Sequence, residues 1–124
     1  MNERERRRHQ RYELLAQVRV RRGTVDYVVE LGNLSLSGAL LSLGSLRKPT
    51  WVQIGRSAEL AIIHPETLDA VDVQGRIVRV AQDESGWSFA VEFIEPDAQA
   101  REGILALVVL AAKGKQGPPP LPPQ

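Results

Sequence analysis

The segment YVVELGNLSLSGALLSL, residues 27–43, places a polar turn between two apolar runs. Runs of this kind, alternating with polar residues and bounded by turn residues, are typical of strands. The turn is Asn33-Leu34-Ser35-Leu36-Ser37-Gly38, which we call the Asn-Ser-Gly turn. Asn and Ser side chains can bond back to the backbone, and Gly can take a positive φ or admit a close neighbour. Read locally it is an Asx-type turn, although it carries more polar groups than a hairpin needs.

Alternation of apolar and polar residues continues on both sides of this segment and predicts six strands. We expect them at about Tyr12–Arg22, Thr24–Leu31, Ala39–Leu43, Ser57–Ile63, Val71–Val80 and Trp87–Phe93. In the connection Leu46–Gly55, Trp51, Val52 and Ile54 are predicted to fold inward. Short strands joined by turn residues favour an all-β protein. We expect a six-stranded antiparallel β-barrel rather than a sandwich, because closure removes exposed strand edges.

One helix is predicted after the last strand. Pro96-Asp97 is a helix start with Asp97 as the N-cap, and Ala98–Ala112 should be helical, with Lys113-Gly114 at its end. Gly103 should cost about 1 kcal/mol relative to Ala inside this helix. The run Ile104–Leu110 is apolar on more faces than a surface helix requires. The helix therefore either closes one mouth of the barrel or forms a homodimer.

Composition narrows the class of protein. The chain has 124 residues, enough for one domain with a modest core, and it has no cysteine and two histidines, His9 and His64. Neither a disulfide framework nor a metal site is expected. The N-terminus has no apolar leader, and the longest apolar run, Ile104–Ala112, is too short to cross a bilayer. We expect a cytoplasmic protein without membrane insertion.

Charge is concentrated at the N-terminus. Residues 1–22 contain eight arginines and three glutamates, a net charge of +5, whereas the remainder has eight basic and twelve acidic residues, a net charge of −4. All the early cations are Arg, none Lys. Arg makes planar, bidentate contacts with phosphate or a base edge and stacks on flat rings. An anionic partner is therefore expected.

Two motifs now stand together. Arg7-Arg8-His9-Gln10-Arg11 has arginines four residues apart directly before the first strand, and the Asn-Ser-Gly turn follows one hairpin later. In a six-stranded barrel the segment entering the first strand can lie across the turn after the second. The chain thereby resembles the PilZ domain family, bacterial receptors for cyclic di-GMP, whose signature is RxxxR before the first strand and [D/N]xSxxG after the second. The resemblance covers roughly residues 3–112 and implies a split-barrel type fold with a C-terminal helix.

The resemblance also implies a ligand site. Arg7 and Arg11 would grip phosphates and guanine edges, Asn33 and Ser35 would hold one guanine, and Gly38 would let the ligand lie against the backbone. Arg6 stands where an arginine goes with binding of an intercalated ligand pair. Arg8 and Trp87 are predicted as additional contacts. The last strand of the family usually has the pattern G-V-x-F, whereas this chain has Ala90-Val91-Glu92-Phe93, and the extra methyl group could weaken binding.

The resulting prediction is a non-enzymatic cyclic di-GMP receptor, with no other cofactor, that changes conformation and signals through a protein partner in motility or biofilm regulation. Ser35 and Ser37 lack the surroundings of a nucleophile. The alternatives are a ligand-independent PilZ-like interaction module and, less favoured, a nucleic-acid binder using the basic N-terminus. We divide the chain into an Arg-rich lead segment (1–10), the barrel and helix (11–112), and a disordered Pro-rich tail (113–124).

Overall fold

The computed structural model describes residues 10–44 and 47–116. The predictions made for Arg6, Arg7 and Arg8, and those for residues 117–124, lie outside this part of the chain. The described residues form six strands and one helix, which we number in chain order: β1 Tyr12–Arg22, β2 Val25–Leu34, β3 Gly38–Gly44, β4 Ser57–Ile63, β5 Ala70–Asp83, β6 Gly86–Ile94 and α1 Ala98–Gln116.

The strands form a closed antiparallel barrel in the order β1-β2-β3-β6-β5-β4. The barrel closes where Val18–Arg21 of β1 pairs with Glu59–Ile62 of β4. The interior is filled by the apolar half of each alternating strand, including Val18, Val20, Leu34, Leu41, Ile62, Ile77 and Phe89. The predicted six-stranded barrel with a C-terminal helix is confirmed, since period-two alternation puts one face of every strand inside.

The strands run further than the alternation predicted. β2 continues through Asn33 and Leu34, and β5 continues to Asp83, so that only Glu84 and Ser85 separate it from β6. Polar residues that seemed to belong to turns are paired in the ladder, because a two-residue loop is enough to join antiparallel strands.

The connection between β3 and β4 adds Trp51 and Val52 to the hydrophobic core. Both are buried, and Trp51 packs edge-on against Phe89 with ring centroids 5.7 Å apart. The prediction that Ile54 also folds inward is wrong, because its side chain is 68% exposed. A bond from Arg56 N to Gln53 O puts Ile54 inside a tight turn, away from the core.

The helix begins as predicted and ends later. The Asp97 carboxylate accepts a hydrogen bond from Ala100 N at 2.8 Å, the contact expected of an N-cap. The helix continues through Lys113 to Gln116, into the predicted tail. A Cβ at Gly103 would lie 2.7 Å from the Val71 side chain, so this glycine lets the helix approach β5 closely.

One face of α1 covers an end of the barrel. Its buried residues are Ala100, Ile104, Leu107, Val108 and Ala111. They pack beside β1, β5 and β2, where Tyr12–Gln17 of β1 extends beyond its pairing with β4. The helix therefore closes a mouth of the barrel, one of the two roles that its composition suggested. Its opposite face is exposed.

Candidate functional site

Ser35 holds the Asn-Ser-Gly turn together. Its hydroxyl oxygen accepts hydrogen bonds from Ser37 N and Gly38 N, both at 3.2 Å, and its own amide donates to Gly38 O at 2.9 Å. The residue is only 2% exposed. A serine hydroxyl that caps a turn in this way fixes the backbone on either side of it. The hydroxyl of Ser35 is thus engaged within the turn.

Gly38 is placed by packing between strands. It pairs with Glu92 of β6, and a Cβ at this position would overlap the carbonyl oxygen of Val91. Phe93 N also donates to Ser37 O at 2.8 Å. The motif thus requires a glycine here so that β6 can approach the turn. The predicted close approach of a ligand to Gly38 stays a prediction, beside this structural reason.

Asn33, the first residue of the Asn-Ser-Gly turn, carries a buried side-chain acceptor. Its Oδ1 atom is buried and has no hydrogen-bond partner within the part of the chain that the structure describes. A β-bulge at Gly32 places Asn33 opposite Leu40 of β3, and a second bulge in β1 places it opposite Glu13. Because neighbouring Leu34 points into the core, Asn33 belongs to the outer face of the barrel. Buried polar atoms normally have a partner, so this one is a candidate ligand contact.

Arg11 lies beside the same turn. Tyr12 pairs with Leu34, so the residue before Tyr12 passes next to the residue after Leu34. Arg11 is half-buried there. The structure thus brings Arg11, Asn33, Ser35 and Gly38 together at one end of the barrel. A guanidinium directly before β1 and an amide oxygen on β2 suit a ligand that carries both phosphate and hydrogen-bond donors.

Residues 5–110 match the family model of the PilZ domain. The chain belongs to the PilZ domain family. A comparison with functionally curated proteins finds no match.

Several solved structures share this PilZ fold. The Bacillus subtilis inhibitor of motility (MotI/DgrA) is 19% identical with a TM-score of 0.72, over 90% of this chain and 51% of that one. The PilZ domain of Escherichia coli YcgR, solved with c-di-GMP, is 17% identical with a TM-score of 0.67, over 90% of this chain and 97% of that one. The K. pneumonia MrkH–c-di-GMP complex gives 20% identity and a TM-score of 0.67, over 88% and 55%. This chain spans about half the length of the first and third proteins.

The structure does not bring Trp87 to the turn. Trp87 pairs with Gly44 at the far end of β3, five residues along β6 from Glu92, the partner of Gly38. At about 3.3 Å per residue this is a separation of about 17 Å. Lys48 Nζ instead lies 5.4 Å from the centre of the Trp87 ring. β6 reaches the turn through Glu92, and the contact between Trp87 and the ligand stays a prediction.

Ala90, which stands where the PilZ family usually has glycine, is only 2% exposed. It pairs with Leu40 of β3, the residue that also lies opposite Asn33. Its methyl group is therefore two strands away from Asn33 in the same row of the sheet.

Sequence reasoning missed Leu40 and Glu13 as neighbours of Asn33. The break in alternation at Leu15 was the one signal of the bulge that brings Glu13 there.

A shallow groove adjoins the site along the two bulges. It has a volume of about 430 Å³ and is lined by residues of β1, β2 and β3: Glu13, Leu14, Leu15, Glu30, Leu31, Gly32 and Ser42. Two carboxylates, from Glu13 and Glu30, give it a negative character.

Among the described residues no cluster of three or more His, Cys, Asp or Glu side chains could hold a metal ion. Within the same residues, α1 is not long and apolar enough to span a membrane.

Proposed function

We propose that this protein is a receptor for cyclic di-GMP that binds its ligand at the Asn-Ser-Gly turn. The observation that carries the proposal is the buried Oδ1 of Asn33, which lies beside Arg11 in a PilZ barrel and has no hydrogen-bond partner among the described residues. The comparison structures of YcgR and MrkH, whose PilZ folds this chain shares, were solved with c-di-GMP and add support. In the ligand, guanine carries N–H donors and the phosphates carry charge, which are the two features that these side chains complement.

Each residue of the proposed site has a chemical role. Arg11 would pair with a phosphate or with guanine O6 and N7, where a guanidinium makes two parallel hydrogen bonds. Asn33 would accept a hydrogen bond from a guanine N–H. Ser35 would act mainly as a positioning residue, since its hydroxyl is engaged by Ser37 N and Gly38 N. Arg6, Arg7 and Arg8 would add further phosphate contacts from the lead segment (residues 1–10).

The output of the receptor is the second part of the proposal. Ligand binding would draw the arginines of the lead segment onto the turn and alter the surface offered to a protein partner. This mechanism needs no catalytic group, and charge-assisted bonds supply the driving force. We retain the division into lead segment, barrel with helix, and Pro-rich tail, with the start of the tail moved beyond Gln116.

Isothermal titration calorimetry with cyclic di-GMP tests the binding site. Wild type should bind, and Arg11→Ala and Asn33→Ala should each weaken binding by about tenfold or more, since each removes a hydrogen bond to a charged or buried group. Arg19→Ala is the matched control, because it removes one arginine from the outer face of β1 in the part that pairs with β4. Absence of heat with concentrated wild type would defeat the receptor proposal and favour the interaction module.

The same titration, repeated with an oligonucleotide and with added salt, distinguishes the receptor from a nucleic-acid binder. A single-stranded oligonucleotide bound through the basic N-terminus should lose affinity steeply with added salt, in proportion to the phosphates that it neutralises. A receptor should prefer the cyclic dinucleotide over the oligonucleotide and show a shallower salt dependence.

Amide exchange of residues 4–11 tests the second part of the proposal. Exchange should slow when cyclic di-GMP is added, and unchanged exchange despite binding would refute the conformational step alone.

A further inference from the structure

The exposed face of α1 is apolar in its middle and charged at both ends. Directly opposite the buried face lie Glu102, Ala106, Val109 and Lys113, all exposed and spaced four, three and four residues apart. This spacing aligns side chains in one row along a helix. Leu105, 50% exposed, flanks the row on one side, and Leu110, half-buried, flanks it on the other.

The row is symmetric about a point between Leu107 and Val108. Glu102 and Lys113 are equally far from this point, and so are Ala106 and Val109, and Leu105 and Leu110. If a second helix of the same sequence lies antiparallel across it, each Glu102 meets the Lys113 of the other copy and each Ala106 meets the Val109. A two-fold axis requires such self-complementarity from a surface that pairs with its own copy.

We infer that α1 is a homodimer interface in which two copies of the chain pair through antiparallel helices. Burial of aliphatic surface drives the contact, and Ala106 lets the two backbones approach in the middle. The charged ends fix the orientation, because a parallel pair would place Glu102 beside Glu102 and Lys113 beside Lys113. The inference does not depend on cyclic di-GMP, since the dimer face lies opposite the side of α1 that packs on the barrel.

The size of the interface sets the expected affinity. The distance from Glu102 to Lys113 is eleven residues, or about 16 Å along the helix. One helix pair of this length buries less than about 1,200 Å², the range of weak and transient protein contacts. We therefore expect a dissociation constant in the micromolar range.

Sedimentation equilibrium of the full chain from roughly 5 to 500 µM tests the proposal. The mean mass should rise from monomer to dimer with concentration. Val109→Glu should raise the dissociation constant by about tenfold or more, because it buries two unpaired carboxylates per dimer. Val78→Glu is the matched control, since Val78 and Val109 are both 43% exposed but Val78 lies on β5. A monomer at all concentrations, or a dimer that Val109→Glu leaves intact, would overturn the interface.

Charge exchange tests the antiparallel orientation. Glu102→Lys alone and Lys113→Glu alone should each weaken the dimer about five- to tenfold, because each creates two like-charge pairs. The double variant Glu102→Lys/Lys113→Glu should return the dissociation constant to near the wild-type value. Failure of the double variant to recover, with both single variants folded by circular dichroism, would overturn the antiparallel arrangement.

Discussion

Single atoms determine the shape of the Asn-Ser-Gly turn. At Gly38 the absent Cβ leaves room for the carbonyl oxygen of Val91, and at Ser35 one hydroxyl group serves two backbone amides. Both residues belong to the family signature, and both stabilise the turn without any contact to a ligand. Substitutions that separate stability from binding therefore reveal what each residue contributes.

Gly38→Ala should destabilise the protein without ligand by about 1–3 kcal/mol, because the new methyl group forces β3 and β6 apart. Urea unfolding followed by tryptophan fluorescence measures this loss. Gly32→Ala is the control, since a Cβ there would lie 3.4 Å from Leu40 O, an ordinary contact. Were Gly38 present only to admit a ligand, Gly38→Ala would weaken binding and leave the unfolding midpoint unchanged.

Ser35→Ala should cost about 1–3 kcal/mol of stability, because Ser37 N and Gly38 N then lose their acceptor in a buried turn. Ser37→Ala should cost less, since within the described part of the chain the Ser37 hydroxyl bonds only to the Ser35 hydroxyl, at 3.3 Å. Thermal unfolding of the two variants measures the difference. Equal losses from both variants would show that the Ser35 hydroxyl does not support the turn.

Asp83 offers a test by titration. Its carboxylate accepts hydrogen bonds from Ser85 Oγ at 2.6 Å and Ser85 N at 2.8 Å, and these bonds lower the pKa of Asp83 below its usual 3.8. A lowered pKa means that the stabilisation is present above pH 3.8 and is lost as the pH falls through the folded value. Carboxyl NMR titration should find the pKa shifted back toward 3.8 in Ser85→Ala. An identical pKa in wild type and variant would contradict the assigned cause.

The strands and the helix show which structural features can be predicted from the sequence and which cannot. Alternation identified the six strands, and the pair Pro96-Asp97 identified the helix cap, because burial of one face and satisfaction of a helix end are local properties. The bulges at Gly32 and next to Leu15 were not predicted, since they depend on how two strands pair. They decide that Glu13 and Leu40 flank Asn33. That Glu92 and not Trp87 pairs with Gly38 was equally out of reach, because register sets which residue of β6 lies beside the turn.

The helix carries its own test at Gly103. In isolation Gly103→Ala should favour the helix by about 1 kcal/mol, but here the new methyl group would lie 2.7 Å from the Val71 side chain. We expect Gly103→Ala to destabilise the protein by about 1–3 kcal/mol. In a Val71→Ala background the same change should be neutral or stabilising. Denaturant unfolding of the four proteins in this double-mutant cycle measures the coupling, and additive effects would mean that the two residues do not touch.

At the scale of the whole molecule, ligand binding and stability are linked. A ligand that binds only the folded state adds about 2.7 kcal/mol at a hundred times its dissociation constant. For a domain of this size that corresponds to a rise in Tm of several degrees. Differential scanning fluorimetry with cyclic di-GMP should show this rise in wild type and in Val109→Glu, but a much smaller one in Arg11→Ala. A loss of the rise in Val109→Glu would show that binding requires the dimer.

The two ends of the barrel differ in whether they can accept an inserted segment. At one end, Phe93 N holds Ser37 O, and only Glu95, Pro96 and Asp97 lie between β6 and α1. The hydrogen bond ties the turn to β6, and the short connection with its rigid proline ties β6 to α1. A chimaera with another PilZ domain should therefore exchange the turn, β6 and α1 together. At the other end lie the loops at Gly23 and at Glu84-Ser85, which are exposed and carry neither the motif nor the helix. An epitope or fluorescent reporter belongs there.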